Sequence, residues 1–390
     1  MFQPNRLRRG IALLLFLLIT IILVTVASAQ ISLGTPKPEI RGVWLTNVDS
    51  DVLFSRQGTK AALARLAKLN FNTVYPTVWQ GGYTLYPSAV AKRVFGKSLD
   101  PTPGLQGRDI LKEIVDQGHK KGLTVIPWFE FGFMAPADSE LAKQHPDWLT
   151  KRLDGTTIKN EGRDERVWLN PFHPEVQQFI LDLIAEIVSK YDVDGIQFDD
   201  HFSLPAEFGY DELTVGMYKK EINVSPSNDF QETFWVRWRA DQINNFMQRV
   251  FSTIKAIKPD CIVSLSPNPL HFSLPAQLQD WFTWERRGWI EEIVLQVYRD
   301  ELKRFTTELE RAEVELAKSH IPVAIGIMSG LKNRSTPISK IESQVREVRK
   351  RGLAGVSFFF YESLWNWAED SPVSRDIAIQ RMFLMPNSRP

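Results

Sequence analysis

The segment Gly195-Ile196-Gln197-Phe198-Asp199-Asp200-His201 sets two adjacent carboxylates and an imidazole behind a run of strand-forming residues. Side chains alternate along a strand, so Ile196 and Phe198 share one face and Gln197 and Asp199 the other. With the apolar pair packed on helices, Asp199 faces the opposite side, and Asp200 falls just past the strand as a loop carboxylate. Trp128-Phe129-Glu130 ends a second such run, and Tyr361-Glu362, beside Trp365, ends a third. Two carboxyl groups, one held protonated by apolar surroundings and the other ionised, are the minimum for hydrolysing a glycosidic bond. Asp199 is the candidate nucleophile or charge stabiliser. Glu130 and Glu362 are the candidate proton donors, with Glu130 ranked first, because Trp128 and Phe129 beside it, like residues 358–361 before Glu362, supply the apolar surroundings that raise a carboxyl pKa.

Other residues at the same strand ends suit a sugar. Trp79, Trp128 and Tyr298 offer faces on which a ring stacks, and Asp200, His201, Asn268 and Gln296 offer partners for hydroxyl groups. Trp79 and Trp128 serve equally well as core plugs. His173, His201 and His271 are widely spaced, with no HxH or HxxxH pair, so neither a catalytic metal nor a cofactor is expected. Ser264, Ser266 and Ser329 lack a G-x-S-x-G elbow, which argues against a serine hydrolase. Lys+Arg number 47 against 46 Asp+Glu, and no basic tract follows the first ten residues, so no nucleic-acid partner is expected. No protein partner is implied. The single cysteine, Cys261, excludes an intramolecular disulfide.

These strand ends need a scaffold that brings them together. Strand-like runs occur at Ile40 to Thr46, Asn72 to Trp79, Leu123 to Glu130, Val193 to Asp200, Cys261 to Ser266, Ile293 to Tyr298, Val323 to Met328 and Gly355 to Tyr361. Amphipathic patterns lie between them, the clearest at 59–69, 109–121, 174–190, 230–257, 302–319 and 338–351. An alternation of eight strands with helices predicts an α/β fold, a single (β/α)8 TIM barrel over residues 40–385 with long loops after strands 3 and 4. Two successive open α/β domains are the alternative. No linker or composition shift follows residue 40, and no glycine-rich phosphate turn follows any strand. In a barrel the loops at 131–174 and 202–229 lie on the C-terminal face, where sites of this fold are built.

The N-terminus reads as an export signal. Arg6, Arg8 and Arg9 precede an apolar stretch over 10–26, then Ala27-Ser28-Ala29 supplies an A-x-A cleavage site. Residues 1–29 are therefore expected to be a signal peptide or, uncleaved, an N-terminal membrane anchor, with 30–39 a linker and the remainder periplasmic or extracellular. No cysteine follows the apolar stretch, which excludes a lipoprotein.

Several of these motifs carry a resemblance. Arg41-Gly42-Val43-Trp44-Leu45-Thr46, Asn72-Thr73-Val74-Tyr75, Val193 to Asp200, Gln296-Val297-Tyr298, and Trp168-Leu169-Asn170-Pro171 with His173-Pro174 resemble the successive motifs of the glycosyl hydrolase-like 10 family, also called DUF187. The likeness runs from about Glu39 to about Trp367. It implies a TIM barrel of the broad α-amylase-like group, exported and acting on cell-envelope glycans, with peptidoglycan strands stripped of stem peptides as a substrate of some members. The Gly195-x-x-x-Asp199 spacing is similar to the α-amylase strand 4 motif, whose Asp is the nucleophile. Gln197 stands where that motif has Arg, and strand 5 ends Ser266-Pro267-Asn268 without the Glu that serves as acid there. Leu295 also stands where a Pro often precedes the Gln-x-Tyr. The expectation is an exported glycoside hydrolase acting on a cell-envelope polysaccharide. The alternative is a glycan-binding barrel protein without a working acid.

Overall fold

A computed structural model describes residues 37–390. The apolar stretch over 10–26 and its A-x-A site lie outside the described residues. Among the described residues, no helix is long and apolar enough to cross a membrane.

Eight strands form the expected barrel: β1 (Ile40–Leu45), β2 (Thr73–Gln80), β3 (Thr124–Val125 and Trp128–Phe129), β4 (Gly195–Asp199), β5 (Ile262–Ser266), β6 (Glu292–Gln296), β7 (Val323–Met328) and β8 (Gly355–Phe359). Each pairs in parallel with the next, and β1 pairs with β8 through Ile40↔Gly355, so the sheet has no edge. Pro127 lacks an amide hydrogen and interrupts β3, although its carbonyl still accepts from Gln197 N at 2.7 Å. Helices return the chain between strands, among them Arg56–Lys68, Ile110–His119, Pro174–Lys190, Thr233–Ile257 and Ile338–Lys350. The 302–319 pattern is two helices rather than one, Leu302–Leu309 and Ala312–Ala317.

Two apolar layers result. The larger fills the space between strands and helices, and the smaller, including Trp44, Tyr75, Ile126, Trp128, Val294 and Ala324, fills the barrel axis. Large rings on the axis require small neighbours. A Cβ on Gly42 would lie 2.8 Å from both Tyr75 and Ser357, and one on Gly326 would lie 3.2 Å from Trp44.

A polar ladder threads this interior. Trp44 Nε1 donates to Gln197 Oε1 at 2.7 Å, Gln197 Nε2 to Ser264 Oγ at 2.9 Å, and Ser264 Oγ to Glu292 Oε1 at 2.8 Å. Tyr75 OH donates to the same Glu292 oxygen at 3.0 Å. The ladder ends on Arg389, whose guanidinium pairs with the other oxygen of Glu292. The segment carrying Arg389 runs across the barrel floor, where Ser388 O accepts from Glu39 N at 2.9 Å and Met385 O from Arg41 Nη1 at 2.6 Å.

The long loops are folded in their own right. After β3, Met134–Pro136, Lys159–Glu161 and Asp164–Trp168 make a three-stranded antiparallel sheet. After β4, a helix over Glu212–Ile222 is capped by Asp211. Asp211 is buried and ties the two loops together, accepting from Thr150 Oγ1 and Asn170 Nδ2, each at 2.9 Å. Arg239, fully buried, fixes the second loop by donating to the carbonyls of Ala206, Phe208 and Phe230.

Removing one partner of a buried ion pair strands the other charge. Arg389→Ala should therefore lower unfolding free energy by about 3 kcal/mol, read from urea midpoints at pH 7 with an unchanged slope. Adding Glu292→Gln should recover much of the loss. Equal midpoints for wild type and Arg389→Ala would show that the floor pair contributes nothing.

Candidate active site

The C-terminal ends of β3 and β4 bring the candidate carboxyl groups together. Trp128 pairs with Gln197 and Phe129 with Phe198. One step further, Glu130 and Asp199 stand side by side and inward, because in-register parallel neighbours share parity. Both carboxyl groups are nearly out of water, Glu130 being 7 % and Asp199 4 % exposed.

Their surroundings differ. Glu130 accepts from two neutral hydroxyls, Thr46 Oγ1 at 3.0 Å and Thr77 Oγ1 at 2.9 Å. Burial pushes its carboxyl up to about 7, more than the threonines and the charge on His201 can offset. Asp199 accepts from Gln296 Nε2 at 2.6 Å, and the same amide donates to Ser266 O at 2.9 Å. His201 Nδ1 lies 3.2 Å from Asp200 Oδ1 and 3.6 Å from Asp199 Oδ2, within ion-pair distance of both. Burial, and next the charge of Asp200, hold Asp199 well above the usual carboxylate range, with His201 pulling the other way. For the imidazole, burial works downward, but Asp200 and then Asp199 outweigh it and push His201 up to about 10. Asp199 and His201 therefore titrate as a coupled pair.

Asp199, Asp200 and His201 each offer one ligand atom within 4.8 Å of the others, a spacing that would also admit a metal ion. The same imidazole, when protonated, instead serves as the counter-charge of the two carboxylates.

The rest of the mouth is assembled from neighbouring strands. Asn268 Nδ2 donates to Asp200 Oδ2 at 2.6 Å. Tyr298, half-buried, lies with its ring 5.5 Å from Phe359. Burial, then the charges of Asp199, Asp200 and Glu130, keeps its phenol protonated. Gly132 adopts φ +50, and a Cβ there would lie 2.3 Å from His201 O, so only glycine lets the β3 loop pass this close to the β4 loop.

Asp199, Glu130, Asp200, His201, Asn268, Gln296 and Tyr298 thus converge as the strand ends suggested. Trp128 points inward beneath them, 2 % exposed and 6.1 Å from the Trp44 ring, as an axial plug. Trp79 faces the helices instead. A register shift between Thr77 and Trp79 lets β2 advance two residues against one of β3, which reverses parity. The Trp79 ring meets Phe179 at 5.6 Å, and its Nε1 donates to Gly132 O at 2.9 Å. Glu362 also stands apart, on the short helix Tyr361–Trp365, where it accepts from Ser50 Oγ at 3.3 Å and from Asn366.

Sequence reasoning did not assign roles to Thr46, Thr77 or Gln279. Gln279 Nε2 donates to Asp199 O at 2.9 Å and Phe202 O at 3.3 Å, holding the turn that carries Asp200 and His201. Parity places Thr77 inward with Tyr75 at the end of its strand, and the same alternation would have placed Thr46 inward at the end of β1. Gln279 lies in a connection between helices and gave no periodic signal.

A family model described as Glycosyl hydrolase-like 10 matches residues 39–346. The chain is 29% identical over 297 residues to "Glycosyl hydrolase DigH" of Escherichia coli strain K12, covering 67% of this chain and 62% of that protein. It is 24% identical over 250 residues to "Glycosyl hydrolase YngK" of Bacillus subtilis, covering 59% of this chain and 45% of the relative. The chain therefore spans less than two thirds of the length of these relatives. Among solved structures, the glycoside hydrolase domain of PgaB (BpsB) from Bordetella bronchiseptica superposes with a TM-score of 0.63 at 13% identity, covering 86% of this chain and 100% of that one. The catalytic domain of a β-amylase from Paenibacillus polymyxa superposes with a TM-score of 0.62 at 11% identity, covering 92% and 100%. These two likenesses bear on fold alone. The extent of the family match, over strands that carry the quoted motifs, makes this chain a member of the glycosyl hydrolase-like 10 family.

Proposed function

We propose that the protein is an exported glycoside hydrolase acting on a cell-envelope polysaccharide, with peptide-free peptidoglycan glycan strands as the first substrate. The observation that carries this reading is the buried pair Glu130 and Asp199, the residues that follow the paired Phe129 and Phe198, one beside neutral hydroxyls and the other beside an imidazole. Export rests on the N-terminal sequence pattern, and the substrate class on the family resemblance.

In this reading Glu130, protonated, gives its proton to the glycosidic oxygen as the bond to the leaving sugar breaks. Asp199 attacks the anomeric carbon in its ionised form, which the Gln296 amide and the His201 imidazole favour against the burial that raises its pKa. Glu130 then takes a proton from the water that releases the second product. Neighbouring strands lie about 4.8 Å apart. Side chains on adjacent strands can therefore approach to the about 5 Å that a nucleophilic pair needs. Gln296 and His201 stabilise the Asp199 carboxylate.

Digestion of peptide-free glycan strands by residues 30–390 should release new reducing ends with retained anomeric configuration, and Asp199→Asn should lower kcat about a thousandfold. Strands that are retained by both proteins but never cut would replace this reading with a glycan-binding protein.

The Glu130 carboxyl, near 7 when folded, should set the alkaline limb of kcat/KM, activity falling as pH rises through about 7. In the unfolded chain the same group ionises near its ordinary 4.5. Unfolding between these values therefore releases a proton, and stability falls as pH rises across the window, by roughly 3 kcal/mol in total. Glu130→Gln should lose activity and raise Tm at pH 8 while leaving Tm at pH 4 nearly unchanged. An equal Tm change at both pH values would remove Glu130 from the role of buried acid.

A further inference from the structure

A cavity of about 510 Å³ opens beside the mouth, between the loops that follow β1, β7 and β8. Asn47, Asp49, Asp51, Lys332, Glu362 and Trp367 line it. We infer that this cavity is a second sugar-binding subsite, reached by the same polysaccharide chain that passes Glu130 and Asp199. The inference rests on the hydrolase reading and extends it to the mode of action: the enzyme grips a chain at two places and cuts within it.

Three observations support it. The cavity adjoins the mouth through one loop, because its lining residue Asn47 follows Thr46, whose hydroxyl donates to Glu130. Asn47 Nδ2 also donates to Gln80 Oε1 at 3.1 Å, which fixes the wall between the two sites to the end of β2.

Next, the volume lies within the range of small-molecule sites, and the lining has the chemistry of sugar recognition. Trp367 is half-buried and braced by Phe360 at 5.4 Å between ring centroids, so it presents a face held by the barrel's inner cluster. Carboxylates from two loops, those of Asp49 and Asp51 on one and Glu362 on another, accept from hydroxyl groups, as do the amides of Asn47 and Asn366.

Finally, three carboxylates face one lysine, and Lys332 Nζ already lies 3.5 Å from Asp49 Oδ1. That balance selects an uncharged, hydroxyl-rich ring over an acidic one. Glu362 is thereby a specificity residue of this subsite. Its carboxylate is engaged by Ser50 and Asn366, so two of its acceptor positions are already oriented across the cavity wall.

The test is binding of size-fractionated peptide-free glycan strands to Asp199→Asn, which separates chain grip from cleavage. Affinity should rise with strand length until both sites are spanned, then level off. Adding Trp367→Ala should abolish the length-dependent gain, about a tenfold loss on long strands with little change on the shortest. Trp367→Phe should restore most of it, which a misfolded variant would not do. Adding Glu362→Gln should give a smaller loss of the same kind. Affinity independent of length in the Asp199→Asn parent, or long strands held equally well after Trp367→Ala, would overturn the subsite. Length-dependent binding without hydrolysis by the wild type would uphold the subsite and overturn the hydrolase reading.

Discussion

Closing eight parallel strands into a ring is the constraint on which everything else depends. A ring has an inside, and every residue of every strand is assigned to it or to the helix layer by parity alone. Once Gln197 faces the axis, Asp199 must face it too, one level higher. The neighbours on either side then bring Glu130 from β3 and Ser266 from β5 to the same level. The site is thus the top layer of the axial packing rather than an addition to it. Its lower layers are held by Trp44, Gln197, Ser264 and Glu292 through hydrogen bonds of 2.7–2.9 Å.

The electrostatics of that top layer follow from the same closure. Three carboxylates end up close together where water is scarce, and only one imidazole balances them. Such an arrangement costs folding free energy, and the fold sustains it because the strand ends are fixed by covalent and hydrogen-bonded continuity with the layers beneath. Burial raises the pKa of both carboxyl groups, and their partners differ, hydroxyls at Glu130 and an amide with an imidazole at Asp199. The ionised form is therefore supported more strongly at Asp199 than at Glu130.

Much of this was legible in the sequence, because barrel strands obey a strict period. The eight runs, the inward parity of Asp199, Glu130, Gln296 and Tyr298, and the two long loops all follow from alternation and helix spacing. The period fails where geometry departs from it. Trp79 follows a register shift in β2 and so faces the helices, although alternation puts it in the mouth with Thr77. Glu362 comes after β8 has ended and lies on a short helix, so strand parity has no hold on it. The Asp211 contact with Asn170 joins two loops 41 positions apart, and no local pattern announces such a pair.

The closing seam has a consequence for how the chain reaches this state. β1 bonds to β8, and Glu39 is clamped by Arg349, a partner 310 positions further on. A chain synthesised from its N-terminus therefore makes its first strand long before that strand's second neighbour exists. Until residues 355–359 emerge, one side of β1 is an open apolar edge, the kind of surface on which chains pair with the wrong partner. Contacts of such long sequence separation carry a larger loop-closure cost than any helix does, which favours slow closure of the seam.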